Sequence, residues 1–298
     1  MDKFLYYIIK ACLLPIAILP LRLAYCFSDL LYFFVYYVVR YRRRLIGKNL
    51  ANSFPDKTEA EKKKIEKDFY HHFCDYFYET IKLLHISNSE MKRRFVFKDI
   101  ELIDSHLRAG RPVILMLGHY GNWEWVTSIT LWTAENKDTT IGQIYRPLKN
   151  KAFDRFFLRL RKRFHSVGFA KNDIYRDIIK MRRANQNWLL GFISDQKPPG
   201  NGLHYWTTFL NQDTPVLIGA ERIAKQTNAV VCYLDITQIK RGYYEGSIKL
   251  ISDSPVDNPE YEISEQYMRN MEKTILRNPS FWLWTHNRWK FKREKTFL

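Results

Sequence analysis

Six consecutive apolar residues, Pro112-Val113-Ile114-Leu115-Met116-Leu117, run straight into Gly118-His119-Tyr120-Gly121-Asn122-Trp123-Glu124. An apolar run this short reads as a buried strand, and the glycines mark its exit into a loop. Around it, strand patterns alternate with helical ones. Thr58 and Glu61 are spaced as a capping box ahead of a helix that carries Ile65, Phe69, Phe73, Tyr76, Phe77, Thr80 and Leu84. Ser87-Asn88-Ser89-Glu90 caps the next helix. A helix over 100–107 stops at Gly110. A further helix is expected to begin near Asn122. Strands follow at Thr139–Tyr145, Trp188–Ser194 and Val230–Thr237, with a last alternating strand between Gly242 and Ile251. Helices are expected over 150–164, 174–184, 215–227 and 260–277. This alternation predicts an α/β fold, a mixed central sheet flanked by helices.

The N-terminus is of another kind. Residues 4–39 are mostly apolar but are interrupted by Lys10, Pro15, Pro20, Arg22 and Asp29. Phe4 to Leu21 and Leu23 to Val39 each approach the length of a bilayer span, and neither is a clean one. Arg40-Tyr41-Arg42-Arg43-Arg44 follows at once, with Lys48 close by. Basic residues flanking an apolar segment mark its cytoplasmic side. We therefore expect a membrane-anchoring helical segment over 1–40, whether spanning or interfacial, and a catalytic domain over 41–298 on the cytoplasmic face of the cell inner membrane.

Lys and Arg number 48 against 31 Asp and Glu, a formal charge of +17, which calls for an acidic partner: nucleic acid, anionic membrane, or an acidic carrier or substrate. No module interleaving basic residues with exposed aromatics is visible, so nucleic acid is not expected. Cys12, Cys26, Cys74 and Cys232 form neither a disulfide framework nor a zinc motif, and the His residues lack metal spacing. Phosphate-loop, dinucleotide and Gly-x-Ser-x-Gly signatures are absent as well.

His119 and Glu124 remain, a base and a carboxylate able to orient it, at the edge of an α/β sheet where chemistry is usually sited. Their spacing alone does not single them out, because His85 and Glu90 share it. Five residues apart, the two do not share a helix face. A loop bent at Gly118 and Gly121 could join them, and a helix N-terminus near Asn122 would offer amide donors to an oxyanion. A buried His satisfied by Glu124, with no substrate, is the competing reading.

The Gly-His-x-Gly-Asn-Trp-Glu form resembles the lipid A biosynthesis (lauroyl/myristoyl) acyltransferases, a branch of the glycerolipid acyltransferase superfamily. Further blocks match in order: Arg44 to Pro55, Tyr145-Arg146-Pro147, Asp195-Gln196, Phe209 with Thr214-Pro215, and Trp282 to Lys290. Thr285 and Asn287 depart from the last pattern. The resemblance implies transfer of a fatty acyl chain from acyl carrier protein to a hydroxyl of an anionic lipid acceptor, a lipid A precursor. His119 is then the general base and Glu124 its orienting carboxylate. Gly121, Asn122, Arg146, Asp195, Arg288 and Lys290 are expected to meet substrate. No cofactor or metal is implied beyond the acyl carrier protein thioester. The basic stretch Arg155, Arg159, Arg161, Lys162 and Arg163 could dock the acidic carrier. Other lipid acceptors stay open, and so does a non-catalytic basic protein that binds membrane or nucleic acid.

Overall fold

The computed structural model describes residues 2–133 and 139–293. The first part of the chain is helical: α1 Asp2–Ile18, α2 Leu21–Phe33, α3 Arg43–Ser53, α4 Glu59–Lys82 and α5 Asn88–Arg94. The alternating part follows, with β1 Phe95–Lys98, α6 Glu101–Arg108, β2 Val113–Leu117, β3 Thr139–Tyr145, α7 Lys151–Arg161, β4 Val167–Ala170, α8 Ile174–Arg183 and β5 Asn187–Ile193. A small hairpin, β6 Trp206–Phe209 and β7 Gln212–Pro215, leads to α9 Gly219–Thr227, β8 Val230–Lys240, β9 Tyr243–Ser252 and α10 Glu262–Arg277.

Seven strands form one sheet in the order β1-β9-β8-β2-β5-β3-β4. Among the described residues β8 and β9 pair antiparallel and the other neighbours in this sheet pair parallel, so the sheet is mixed, as expected. β2 lies near its middle and is buried at every position, which is why its sequence has no polar alternation. The capping box at Thr58 and Glu61 starts α4, and Ser87 accepts the Glu90 amide at the start of α5.

Two expectations change. After Asn122 the chain forms a 3-10 helix, Trp125–Leu131, in place of an α-helix. Its β-branched sequence Trp-Val-Thr-Ser-Ile-Thr-Leu is a poor helix former, and the Thr127 hydroxyl bonds the Glu124 carbonyl instead of leaving it to an α-helical turn. Strands β1 and β4 and the β6–β7 hairpin, at four residues per strand, were too short to register as periodic patterns. Leu21–Val39, which joins α2 to a π-helical turn over Phe34–Val39, is long and apolar enough to cross a membrane.

One buried carboxylate ties the layers together. Glu79, in the interior of α4, accepts hydrogen bonds from Tyr25 of α2 (2.8 Å), Asn122 of the loop after β2 (2.7 Å) and Tyr244 of β9 (2.8 Å). Burial pushes its carboxyl up to about 7 against the pull of those donors. Folded Glu79 thus keeps a proton that an unfolded glutamate releases near 4.5, so raising the pH through that window costs stability. Buried His72, lowered to about 4, works in the opposite direction. The informative quantity is therefore the difference between wild-type and Glu79→Gln profiles. We expect the wild type to lose up to about 3 kcal/mol relative to the variant on going from acidic to neutral pH, measured by urea unfolding across the range.

Candidate active site

The site arises from strand register. β2 and β5 are parallel neighbours, and Leu117 lies opposite Ile193 at their ends. The Ser194 amide bonds the Leu117 carbonyl just beyond (3.2 Å). His119 and Asp195, each two residues past its strand, are therefore brought side by side. The Asp195 carboxylate accepts the His119 backbone amide at 3.0 Å and pairs with the ring Nδ1 at 2.7 Å. With the proton on Nδ1, the Nε2 lone pair is free to accept, and the Gln196 side-chain amide approaches it at 3.3 Å. Burial alone would raise the Asp195 carboxyl. The His119 imidazole, the Trp282 indole and the His119 amide more than offset this and hold it below the usual carboxylate range.

Three features fix the loop that carries His119. The C-terminal segment pairs with it: Gly121 N–H bonds the Phe281 carbonyl, Leu283 N–H bonds the His119 carbonyl, and Trp282 donates its indole N–H to Asp195 at 2.8 Å. Glycine is favoured at two points. A side chain at Gly118 would run into Met271 at 2.5 Å, and Gly121 sits at φ +58. Trp123 then packs edge-on against the His119 ring and stacks on Tyr76 of α4.

Glu124 faces another way. It is buried and forms a bidentate pair with Arg161 of α7, at 2.6 and 2.9 Å. Among the described residues no hydrogen bond joins it to His119. Asp195 occupies Nδ1, and the Glu124 carboxylate is taken up by Arg161. Asn122 is fully buried, bonded to Glu79 and capping Trp125, so it supports the loop and is not exposed to a substrate.

His119 and Glu124 both line a cavity of about 600 Å³. Its interior is apolar, with Leu115, Val126, Ile129, Ile141, Leu189 and Ile223, while Arg146, Lys171 and Lys197 add positive charge. Arg146 is exposed at the cavity. Arg288 is not: it is 0% exposed and donates to the Pro215 carbonyl at 2.6 Å, so direct contact with a lipid headgroup is closed to it. Lys290 is on the surface beside Phe291 and does not line the cavity. The basic helix divides. Arg161 turns in to Glu124 and Arg163 bonds the Ile86 carbonyl, while Arg155, Arg159 and Lys162 border a cleft against α1. His85 is exposed at the end of α4, away from the cavity.

Sequence reasoning missed the His119–Asp195 pairing, although one signal existed: both residues lie just past apolar strands, where neighbouring parallel strands end together. Nothing local marked Arg161 as the partner of Glu124, or Gln196 as the contact of Nε2.

The Glu124–Arg161 pair makes a testable prediction. Arg161→Ala leaves a buried carboxylate uncompensated and should destabilise the fold by about 3–5 kcal/mol. Adding Glu124→Gln should recover a large part of that loss. Chemical denaturation of the two single variants and the double variant, as a double-mutant cycle, measures the coupling.

Residues 1–291 match the family model described as bacterial lipid A biosynthesis acyltransferase. Over 254 residues the chain is 22% identical to a lipid A biosynthesis palmitoleoyltransferase of Escherichia coli (strain K12), covering 84% of this chain and 79% of that one. The same figures hold for a lipid A biosynthesis acyltransferase of Shigella flexneri. With the match extending from the apolar N-terminus through the Trp282 segment that clamps His119, the chain belongs to the bacterial lipid A acyltransferase family, and it is an acyltransferase.

Proposed function

We propose that residues 41–298 form a catalytic domain that transfers a fatty acyl chain from acyl carrier protein to a hydroxyl of a lipid A precursor. The observation that carries this reading is the chain Asp195–His119–Gln196 at an apolar cavity bearing basic residues. His119 Nε2 takes the proton of the acceptor hydroxyl while that oxygen attacks the thioester carbonyl. The tetrahedral intermediate collapses, the C–S bond breaks, and the proton held on Nε2 passes to the departing thiolate. Asp195 keeps Nε2 free as acceptor and stabilises the imidazolium formed between the two steps. No covalent enzyme intermediate is required, because the thioester is already activated. Gln196 gives up its contact with Nε2 when the acceptor hydroxyl arrives.

The apolar part of the cavity suits a fatty acyl chain, and Arg146, Lys171 and Lys197 suit the anionic groups of carrier and acceptor. Glu124 acts through Arg161, holding the loop and cavity wall in place, and is a positioning residue. The basic run Arg40 to Arg44 supports an inner-membrane location with the domain on the cytoplasmic face. The E. coli relative is named for palmitoleoyl transfer in lipid A biosynthesis, which supports the acceptor class.

Purified protein, acyl carrier protein thioester and lipid A precursor test the reading. We expect His119→Ala to lower turnover by roughly a hundredfold or more. Asp195→Asn should do the same with stability largely kept, because an amide on Nδ1 permits the wrong tautomer. Asp195→Glu should recover part of the rate. Transfer to a different lipid with none to the lipid A precursor would overturn the acceptor assignment. Full activity in His119→Ala would overturn the mechanism.

A further inference from the structure

The N-terminal helices are inside out. Along α2 and the turn after it, Tyr25, Ser28, Tyr32 and Tyr36 are buried on one face, while Arg22 and Asp29 stay exposed. The opposite face exposes Leu23, Phe27, Leu30, Phe33, Phe34 and Val38, with Leu30 67% exposed. Spacings of three and four residues make each set a single stripe. An apolar stripe turned outward over this length is a surface made to be covered.

The inward face shows what can cover it. α4 runs antiparallel to α2 and meets it with ionisable groups from end to end. Lys63 lies over the Tyr36 ring (5.4 Å) and His71 stacks on Tyr32 (3.5 Å). Asp75 accepts from Ser28 at 2.6 Å, and Glu79 from Tyr25 at 2.8 Å. Lys82 closes the row by donating to the carbonyls of Ala17 and Leu19 between α1 and α2 (3.0 and 2.9 Å). Arg241 bridges Asp29 of α2 to Asp75. A crossing α2 would either draw this row into hydrocarbon or break all of these contacts, and each charge at the bilayer centre is costly. Length permits a span, and the packing opposes it.

Charge completes the surface. α1 exposes Phe4, Tyr7 and Ile8 and lies against the basic helix α7, where Tyr6 and Tyr7 share a cleft with Arg155, Arg159 and Lys162. Arg22, Arg40 and Arg44 are exposed around α2. Aromatic side chains beside a basic rim match the interface of an anionic bilayer.

We propose that α1 and α2 lie in the plane of one leaflet of an anionic membrane, their outward stripes in the acyl region and Arg155, Arg159 and Lys162 at the headgroups, so that the chain does not cross the bilayer. The inference concerns attachment and does not rest on the acyl-transfer reading, since its readouts are topology and depth.

Epitope tags before Met1 and after Leu298 of the full chain, shaved by protease from inverted vesicles and from intact spheroplasts, should be cut from the same side. Cutting from opposite sides overturns the proposal. In a Cys12→Ser, Cys26→Ser, Leu30→Cys form bearing a fluorophore at position 30, a nitroxide near the lipid headgroup should quench more than one at the chain end. The reverse order, expected of mid-span residue 30, overturns it. Arg155→Gln, Arg159→Gln and Lys162→Gln together should weaken binding to phosphatidylglycerol vesicles by at least roughly tenfold. Unchanged affinity would contradict the headgroup contact.

Discussion

The carboxylate of Asp195 holds the site together. It is almost fully buried and accepts three hydrogen bonds, from the His119 amide, the His119 ring and the Trp282 indole. These join three separate stretches of chain: the end of β2, the end of β5 and the C-terminal segment. A buried carboxylate with every donor directed at it stays ionised and fixes what surrounds it. His119 thereby receives both its ring orientation and its tautomer from one residue. Remove the carboxylate, and the Trp282 indole loses its acceptor, leaving the backbone bonds of Gly121 and Leu283 to hold the C-terminal segment against the His119 loop.

Two further carboxylates organise the surroundings without touching His119. Glu124 is spent on Arg161, which fastens the loop after β2 to α7. Glu79 joins the same loop, through Asn122, to α2 and β9. The N-terminal helices are thus connected to the His119 loop by one hydrogen-bonded hub. The three acids have separate tasks set by their environments: Asp195 orients, Glu124 braces, and Glu79 connects.

The sequence made much of this legible, and physical reasons separate what it revealed from what it hid. β2 was recognisable because a strand buried on both faces has no alternation, and α4 because a capping box and a long apolar stripe mark it. His119 stood out through the apolar run before it and the glycines around it. Its partner stayed hidden because Asp195 is 76 residues away, and the contact exists only through the register of Leu117 with Ile193. Spacing along the chain favoured Glu124, which lies nearer in sequence but is turned to α7. Arg288 was misjudged for a similar reason: a C-terminal basic run gives no sign of which guanidinium folds inward.

His119 is oriented by Asp195 and not by Glu124. This orientation is most directly tested by ¹⁵N NMR of the histidine rings in wild-type protein and in Asp195→Asn and Glu124→Gln. Neutral His119 should carry its proton on Nδ1 in the wild type, keep it there in Glu124→Gln, and lose that preference in Asp195→Asn. A His119 tautomer that changes with Glu124→Gln and is untouched by Asp195→Asn would contradict orientation by Asp195.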